Sequence, residues 1–157
     1  MNSEVQTKKC WHSNGKLLIS GEYLVLKGAS SLAVPINKGQ SLEVTENPGS
    51  GNINWQANHI NGKWFEGKFN IGGIREKSYT SGPEFQKLLH IIDAVVELKP
   101  NFLNQNTDYD IKTHLEFLPE HGLGSSSTLI NNMAKWINCN PYDLLEKTFG
   151  GSGYDIA

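Results

Sequence analysis

Short apolar runs in the first third of the chain, and alternating polar and apolar residues from Gln40 to Glu46, predict β-strands. Asn14-Gly15 is a turn signal, and a second such signal, Asn61-Gly62, lies at the centre of a predicted hairpin. Pro35 and Asn37 are expected to end the apolar run that begins at Ser31. The predicted strands span residues 16–20, 31–36, 40–46, 53–57, 63–70 and, further along, 109–115.

The apolar spacing changes to three or four residues in the second half of the chain, which predicts helices packed along one face. The first helix is predicted over Pro83 to Leu98, because Pro83 suits a first helical turn and Pro100 cannot continue the pattern. A second helix is predicted from about Ser126 to Ile137. A third is predicted from Pro141 to Thr148, with Asn140 as its N-cap. Strands followed by helices predict an α+β domain.

The composition narrows the class of protein. The chain has 157 residues and a formal net charge of −2, which suits one globular domain and gives no basic surface for nucleic acid. No apolar stretch approaches the roughly 20 residues that span a bilayer, and no signal-peptide pattern begins the sequence. We therefore expect a cytoplasmic protein whose partner is a small molecule, with no nucleic-acid or membrane partner and with homodimer formation left open.

A glycine- and serine-rich segment, Pro119 to Thr128, lies between the last predicted strand and the second helix. Gly122 and Gly124 permit positive φ angles and close approach of a ligand to the backbone. The serines that follow lie where a helix presents unpaired N–H groups, which makes the segment suitable for binding phosphate. It is not a Walker A loop, because no lysine follows Gly124. The segment alone leaves open an ordinary strand-to-helix turn with serine caps.

Three segments resemble, in the right order, the signatures of the GHMP kinases, named for galactokinase, homoserine kinase, mevalonate kinase and phosphomevalonate kinase. Leu118 to Ser126 resembles the central ATP-binding signature. Gly15 to Gly28, followed by Leu32 to Ile36, resembles the N-terminal signature. Ser152 to Ala157 resembles the segment with the catalytic aspartate, and its Gly-Tyr-Asp-Ile-Ala string matches the subgroup called GYDIA family GHMP kinases.

The resemblance implies an N-terminal lobe like ribosomal protein S5 domain 2 and a ferredoxin-like C-terminal lobe with a third glycine-rich signature. That third signature is absent from the sequence. We therefore expect residues 1–157 to be the N-terminal ATP-binding domain of a longer kinase, truncated after the catalytic Asp segment and inactive by itself.

The resemblance also implies which residues bind the nucleotide and the metal. The ATP phosphates would bind to Gly122, Leu123, Gly124, Ser125, Ser126 and Ser127. Ser126 would also help to bind Mg²⁺, and a carboxylate on the next helix would complete the metal site. Glu146 is the first choice for that carboxylate and Asp143 is its competitor. A plain solvated helix charge is the alternative for both residues.

Two further residues are assigned to the chemical step by the same resemblance. Asp155 would be the general base or would orient the acceptor hydroxyl, and Lys16 would pair with it and steady the transferred phosphate. The alternatives are a turn residue for Asp155 and a surface lysine for Lys16. The four tryptophans are interpreted as core or sheet-face residues rather than as a stacking platform.

These assignments predict an ATP- and Mg²⁺-dependent kinase that phosphorylates a metabolite hydroxyl. Mevalonate or a related isoprenoid-pathway substrate is the best choice of acceptor, although the spacing from Ser126 to Asp155 is shorter than in mevalonate kinases proper. A non-catalytic binding module on the same fold and a diphosphomevalonate decarboxylase-like enzyme are the alternatives.

Overall fold

The computed structural model describes residues 7–20, 30–73, 82–150 and 156 of the chain. In this part of the chain, five strands and three α-helices form a mixed α+β structure, which confirms the predicted fold class. The strands are β1 (Thr7–Ser20), β2 (Leu32–Pro48), β3 (Asn52–His59), β4 (Gly62–Asn70) and β5 (Thr107–Leu115). The helices are α1 (Pro83–Leu98), α2 (Ser125–Ile137) and α3 (Pro141–Thr148).

The five strands form one sheet in the order β1-β2-β5-β3-β4. β1 pairs antiparallel with β2, β2 with β5, and β3 with β4. β3 and β5 are parallel, so the chain between them crosses over, and it does so through β4 and α1. β1 and β4 are consequently the edges of the sheet, and within the described chain β1 has β2 as its one strand partner.

The core lies between one face of the sheet and the three helices. Val44, Trp55 and Ile111 point from neighbouring strands into this layer and are buried against helix residues such as Ile92 and Ile130. Burying an aliphatic side chain of this size contributes roughly 1.5–3 kcal/mol. The residues that alternate with them carry polar side chains, as expected for a sheet with one covered face.

The first two strands are longer than the sequence predicts. Asn14-Gly15 was predicted as a turn, but it lies inside β1, where the pairing with β2 shifts register between Asn14 and Lys16. Pro35 and Asn37 were predicted to end a strand, but β2 continues through both. A proline is tolerated there because β5 pairs with residues 40–48 of β2, so among the described strands one side of β2 has no partner at Pro35.

The helices agree closely with the sequence pattern. The bounds of α1 and α3 are those predicted, and α2 begins one residue earlier, at Ser125. The β3–β4 hairpin around Asn61-Gly62 is also confirmed. In the described part of the chain, none of the helices is long and apolar enough to cross a membrane.

Asn140 caps α3 as predicted, because its side-chain oxygen accepts a hydrogen bond from the Tyr142 N–H at 3.0 Å. Asn140→Ala should lower the free energy of unfolding by about 1 kcal/mol, since the first turn then loses its acceptor. Urea denaturation of the full-length protein measures this change. Asn140→Asp keeps an acceptor and serves as the control, and equal losses in both variants would contradict the capping role.

Candidate functional site

The glycine- and serine-rich segment forms a loop that leads from β5 into α2. A single 3₁₀ turn, Pro119–His121, follows the strand. Gly122 and Gly124 then adopt left-handed conformations with φ of 67° and 84°, which residues with a side chain rarely adopt. Gly124 is the N-cap of α2 and provides no side-chain acceptor for the first N–H groups of the helix. These donors and the positive end of the helix dipole face the loop, as in an anion site.

β1 contacts this loop at Gly15 and Lys16, the first two residues of the N-terminal signature. The backbone N–H of Lys16 donates a hydrogen bond to the Leu123 carbonyl oxygen at 3.0 Å. A Cβ atom on Gly15 would lie 2.7 Å from the same oxygen and 2.9 Å from the Phe117 ring. Only glycine therefore lets the strand approach the loop this closely. The start of the N-terminal signature and the glycine loop, which are distant in sequence, are therefore in direct contact.

A cavity of about 260 Å³, here called the loop cavity, lies between β1 and the start of α2. Its walls bring the partly buried Lys16 of β1 together with five residues predicted to bind phosphate. It is lined by Lys16, Leu18, Pro119, Gly122, Gly124, Ser125, Ser126 and Ser127.

A second cavity of about 420 Å³, the aromatic cavity, lies on the helix side of the sheet and shares Pro119, Ser125 and Ser126 with the loop cavity. Trp55 is 2% exposed, and its indole Nε1–H has no hydrogen-bond partner in the described part of the chain. An unpaired buried donor is uncommon, and the buried Nε1 atom of Trp136 has no partner among the described residues either. Its wall includes the aromatic side chains of Trp55, His59, Trp64, Phe65 and Phe149 and the charged side chains of Glu84, Lys87 and Glu120.

A third cavity of about 340 Å³, the basic cavity, lies along the other side of α2 and shares Lys16 and Ser127 with the loop cavity. Ile156, the residue directly after Asp155, is buried and forms part of its wall. Its remaining walls include His12, Pro35, Thr128, Asn131 and Lys135. The three cavities thus follow one another around the start of α2, with the loop cavity in the middle.

Buried hydrogen bonds fix α2 against the sheet. The amide of Asn132, which is fully buried, donates to the Gln40 carbonyl oxygen and accepts from the Ser13 hydroxyl, both at 2.7 Å. The Thr128 hydroxyl donates to the Gln40 side chain at 2.9 Å. Because each polar group has a partner, the network orients the helix start relative to β1 and β2.

Glu116, directly after β5, fixes the strands beside the basic cavity. Its carboxylate accepts a hydrogen bond from the Gly39 N–H at 2.6 Å and lies 3.4 Å from His12 Nε2. The hydrogen bond from Gly39, with a smaller contribution from His12, lowers the pKa of Glu116. Glu116 therefore remains ionised at neutral pH and keeps β1, β2 and β5 together at this end of the sheet.

The residues predicted for the site fall into two groups. Lys16 and the residues from Gly122 to Ser127 are brought together, with Leu123 contributing its carbonyl oxygen to Lys16 rather than a cavity wall. Asp155 lies outside the described residues, so its pairing with Lys16 stays a prediction. Glu146 and Asp143 are exposed on α3 and do not line the loop or aromatic cavities that contain Ser126. Their metal-binding role also stays a prediction.

Three features of the site could not be seen in the sequence. Gly15 was assigned both to a turn and to the N-terminal signature, and its close contact with the glycine loop is shown only by the structure. Trp64 was interpreted as a sheet-face residue, and the structure shows that it also borders the aromatic cavity. Lys135 was not singled out, because nothing in the helical pattern shows which side of α2 faces β1.

This fold, with a glycine loop between β5 and α2, is that of the N-terminal half of GHMP kinases, as the resemblance implied. No family model matches the sequence, and no curated protein matches it. The likeness therefore rests on three-dimensional structure.

Solved structures of several kinases superpose on nearly the whole chain. A mevalonate kinase from Methanococcus jannaschii has a TM-score of 0.68 at 16% identity, over 96% of this chain and 50% of that one. A Lactococcus lactis galactokinase complexed with galactose has a TM-score of 0.64 at 13% identity, over 92% and 40%. A mevalonate diphosphate decarboxylase from Legionella pneumophila gives 0.54 at 16% identity, over 96% and 49%. The present chain thus spans half or less of these proteins.

Proposed function

We propose that the full-length protein is an ATP-dependent kinase that transfers the γ-phosphate to a hydroxyl group of a small metabolite. The main support is the order of the three cavities around the start of α2: aromatic, then glycine loop, then basic. ATP has an aromatic base at one end and phosphates at the other, and the acceptor must meet the last phosphate. The three cavities are therefore arranged in the same order as the base, the phosphates and the acceptor.

The loop cavity suits the phosphates of ATP. Gly122 and Gly124 have no side chain to hold a phosphate away from the backbone, and a Cβ at Gly122 would meet no atom within 4 Å, so the space beside it is open. The helix start supplies N–H donors, and Ser125 and Ser126 add hydroxyl groups. The Lys16 ammonium on the opposite wall would balance negative charge as it develops during transfer.

The aromatic cavity suits the base of the nucleotide. Trp64 and Phe65 offer ring surfaces beside the wall that continues into Ser125. Polar side chains such as Gln40 and Glu120 also line this cavity, and aromatic walls that include polar groups are usual in a site for an organic ligand.

A magnesium ion is proposed to bind together with the nucleotide. Mg²⁺ keeps several waters and usually takes one or two protein oxygens in addition to phosphate oxygens. Ser126 offers a hydroxyl in the loop cavity. Glu146, or its competitor Asp143, is the proposed carboxylate, and both are exposed on α3, outside the walls of the loop cavity. When bound, the ion neutralises charge on the phosphates.

The acceptor would lie where the loop and basic cavities meet, beside Lys16 and Ser127. In the proposed step Asp155 accepts the proton of the acceptor hydroxyl while the hydroxyl oxygen forms a bond to the γ-phosphorus. The bond between that phosphorus and the β,γ-bridging oxygen breaks, and ADP leaves. The position of Ile156 in the wall of the basic cavity supports this role for the residue before it.

Mevalonate is the preferred acceptor, since the fold neighbours include mevalonate kinases. The decarboxylase among those neighbours favours a second candidate, an enzyme that decarboxylates a phosphorylated acid. Product analysis separates the two: a kinase yields ADP and a stable phosphate ester, whereas the decarboxylase yields ADP, inorganic phosphate and CO₂. A binding module without catalysis would yield neither.

Gly124→Val tests the nucleotide site in the full-length protein. The valine side chain would obstruct close approach of phosphate, and the φ of 84° would be strained. The Kd for ATP·Mg²⁺, measured by calorimetry, should rise about tenfold or more, equivalent to roughly 1.4 kcal/mol.

Gly62→Val is the matched control, because Gly62 also has a positive φ, of 114°, but lies in the β3–β4 hairpin turn. It should strain the backbone to a similar degree and leave ATP affinity within about twofold of wild type. Equal affinity in Gly124→Val and wild type would rule out the loop as the phosphate site.

A further inference from the structure

We propose that Asn132 of α2 is a positioning residue of the proposed active site, because it holds β1 at the distance from α2 at which Lys16 meets the glycine loop. This inference rests on the proposed kinase function. It goes beyond that function because Asn132 is fully buried, lines none of the three cavities and would act only through β1. The evidence comes from the strand ladder, the hydrogen bonds between α2 and β1, and the lengths of the two elements.

The ladder between β1 and β2 is interrupted directly before Lys16. Asn14 is paired with Gly39. The next pair joins Lys16 to Pro35, so residues 36–38 of β2 lie opposite a single residue of β1. Such an irregularity leaves residues outside the ladder and bends the strand. Among the described strands, β1 has no second neighbour that could compensate. The ladder alone therefore does not fix the position of Lys16 relative to α2.

Asn132 connects α2 to both strands at this point. Its side-chain N–H donates to the Gln40 carbonyl oxygen, and its side-chain oxygen accepts from the Ser13 hydroxyl, both at 2.7 Å. A carbonyl oxygen can only accept, so the amide has one possible orientation and its oxygen must face Ser13. The Lys135 ammonium donates to the same hydroxyl at 3.1 Å, which leaves the hydroxyl proton for Asn132. Two residues of α2 therefore hold Ser13 in place.

The link at Ser13 and the link at Lys16 close a ring of contacts around the start of α2. Lys16 lies three residues after Ser13, roughly 10 Å along a strand, and its backbone N–H donates to Leu123 in the loop. Asn132 lies seven residues after Ser125, the first residue of α2, which is also roughly 10 Å along a helix. β1 and α2 thus cover equal lengths between the two links. Without the link at Asn132, β1 can move relative to α2 and takes Lys16 with it.

A displacement of Lys16 would affect the chemical step more than nucleotide binding. The proposed role of Lys16 is to balance charge that develops during transfer, and this effect depends on exact placement. A misplacement of about 1 Å can lower a rate by about a hundredfold. A buried amide with a purely structural role would instead lower kcat no more than another substitution that destabilises the fold to the same degree.

The test compares Ser13→Ala, Asn132→Ala and the double variant with the control Tyr109→Phe, all in the full-length protein. Tyr109→Phe also removes a buried hydroxyl, which accepts a hydrogen bond from the Asn104 N–H at 2.9 Å near the start of β5, away from the glycine loop. The kcat with ATP·Mg²⁺ and mevalonate should fall about tenfold or more in both single variants. The Kd for AMP-PNP·Mg²⁺ should stay within about threefold of wild type.

Two comparisons separate positioning from general destabilisation. The double variant should lose no more than about twofold relative to Asn132→Ala, because Ser13 and Asn132 act through one hydrogen bond. Tyr109→Phe should keep its kcat within about twofold of wild type, although it too loses a buried hydrogen bond.

Amide hydrogen exchange gives a readout that does not depend on the reaction. The Lys16 N–H should exchange about tenfold faster in Ser13→Ala and Asn132→Ala, because its hydrogen bond to Leu123 opens more often. Val44, which is paired with strands on both sides, is the internal reference and should keep its protection. An equal loss of protection at both sites would indicate general destabilisation and contradict the inference.

The inference is also overturned if both single variants keep the kcat of the wild type, if Tyr109→Phe loses as much kcat as they do, or if exchange of the Lys16 N–H is unchanged. If Asn132→Ala does not fold, Ser13→Ala decides, because it removes a single hydroxyl group. A wild type that forms no ADP from ATP·Mg²⁺ and mevalonate would instead contradict the kinase proposal with that acceptor. The exchange of the Lys16 N–H would then still decide whether Asn132 holds β1 in place.

Discussion

Asp155→Asn in the full-length protein should lower kcat by about 10²–10⁴ while the Kd for ATP·Mg²⁺ changes little. The substitution keeps the size of the side chain and removes its charge and basicity. A general base that has lost its basicity no longer accepts the proton of the acceptor hydroxyl, whereas the glycine loop that would hold the phosphates is untouched. Steady-state kinetics and calorimetry on the same preparation measure both quantities.

Lys16 makes this prediction more specific. Lys16→Met should also lower kcat, because it removes the ammonium group of the loop cavity. If Lys16 and Asp155 act as a unit, the double variant should lose less activity than the product of the two single losses. A kcat near wild type in Asp155→Asn would remove that residue from the mechanism and reduce the Ser152 to Asp155 segment to a structural turn.

Gly15→Ala should lower the free energy of unfolding by about 1–3 kcal/mol, the usual effect of overfilling a packed position. The added Cβ would lie 2.7 Å from the Leu123 carbonyl oxygen, so β1 or the loop must move. Either movement breaks the hydrogen bond between Lys16 and Leu123 and changes the width of the loop cavity. ATP affinity should therefore fall together with stability. Urea denaturation and calorimetry measure the two effects.

Gly73→Ala is the control for this substitution, because a Cβ at Gly73 would meet no atom within 4 Å. It should leave ATP affinity unchanged and stability within about 0.5 kcal/mol of wild type. If Gly15→Ala is as stable and binds ATP as tightly as Gly73→Ala, the contact between β1 and the loop has no energetic importance.

The helices of this fold could be predicted from the sequence because their signals are local. Pro83, Pro100 and Asn140 bound α1 and α3 through their own backbone geometry and capping, so a short stretch of sequence contains the information. The strands depend on neighbours that lie far away in the chain. Whether Asn14-Gly15 forms a turn or a register shift, and whether β2 continues past Pro35, is decided by where β2 and β5 pair.

In the candidate site, too, local features could be predicted from the sequence and long-range ones could not. Gly122 to Ser127 could be singled out as a candidate phosphate loop, because such a loop is a contiguous segment whose residue types follow from its chemistry. The basic cavity could not, since His12 and Lys135 are more than a hundred positions apart and meet only once α2 has packed on β1. The ring surfaces of the aromatic cavity depend likewise on the crossover that places α1 beside β4.

Because β1 lies at the edge of the sheet, local unfolding of this strand would take the proposed active site apart. An edge strand shares its ladder with one neighbour, and separating it from the sheet costs less free energy than unfolding the core. Detachment of β1 near Gly15 would withdraw Lys16 and release the Leu123 carbonyl oxygen in one event, although the buried core of β3, β5 and α2 remained intact. A ligand that contacts both Lys16 and the loop would oppose this opening, because it binds only when the strand is in place. Substrate binding and the amide-exchange protection of β1 are therefore thermodynamically linked.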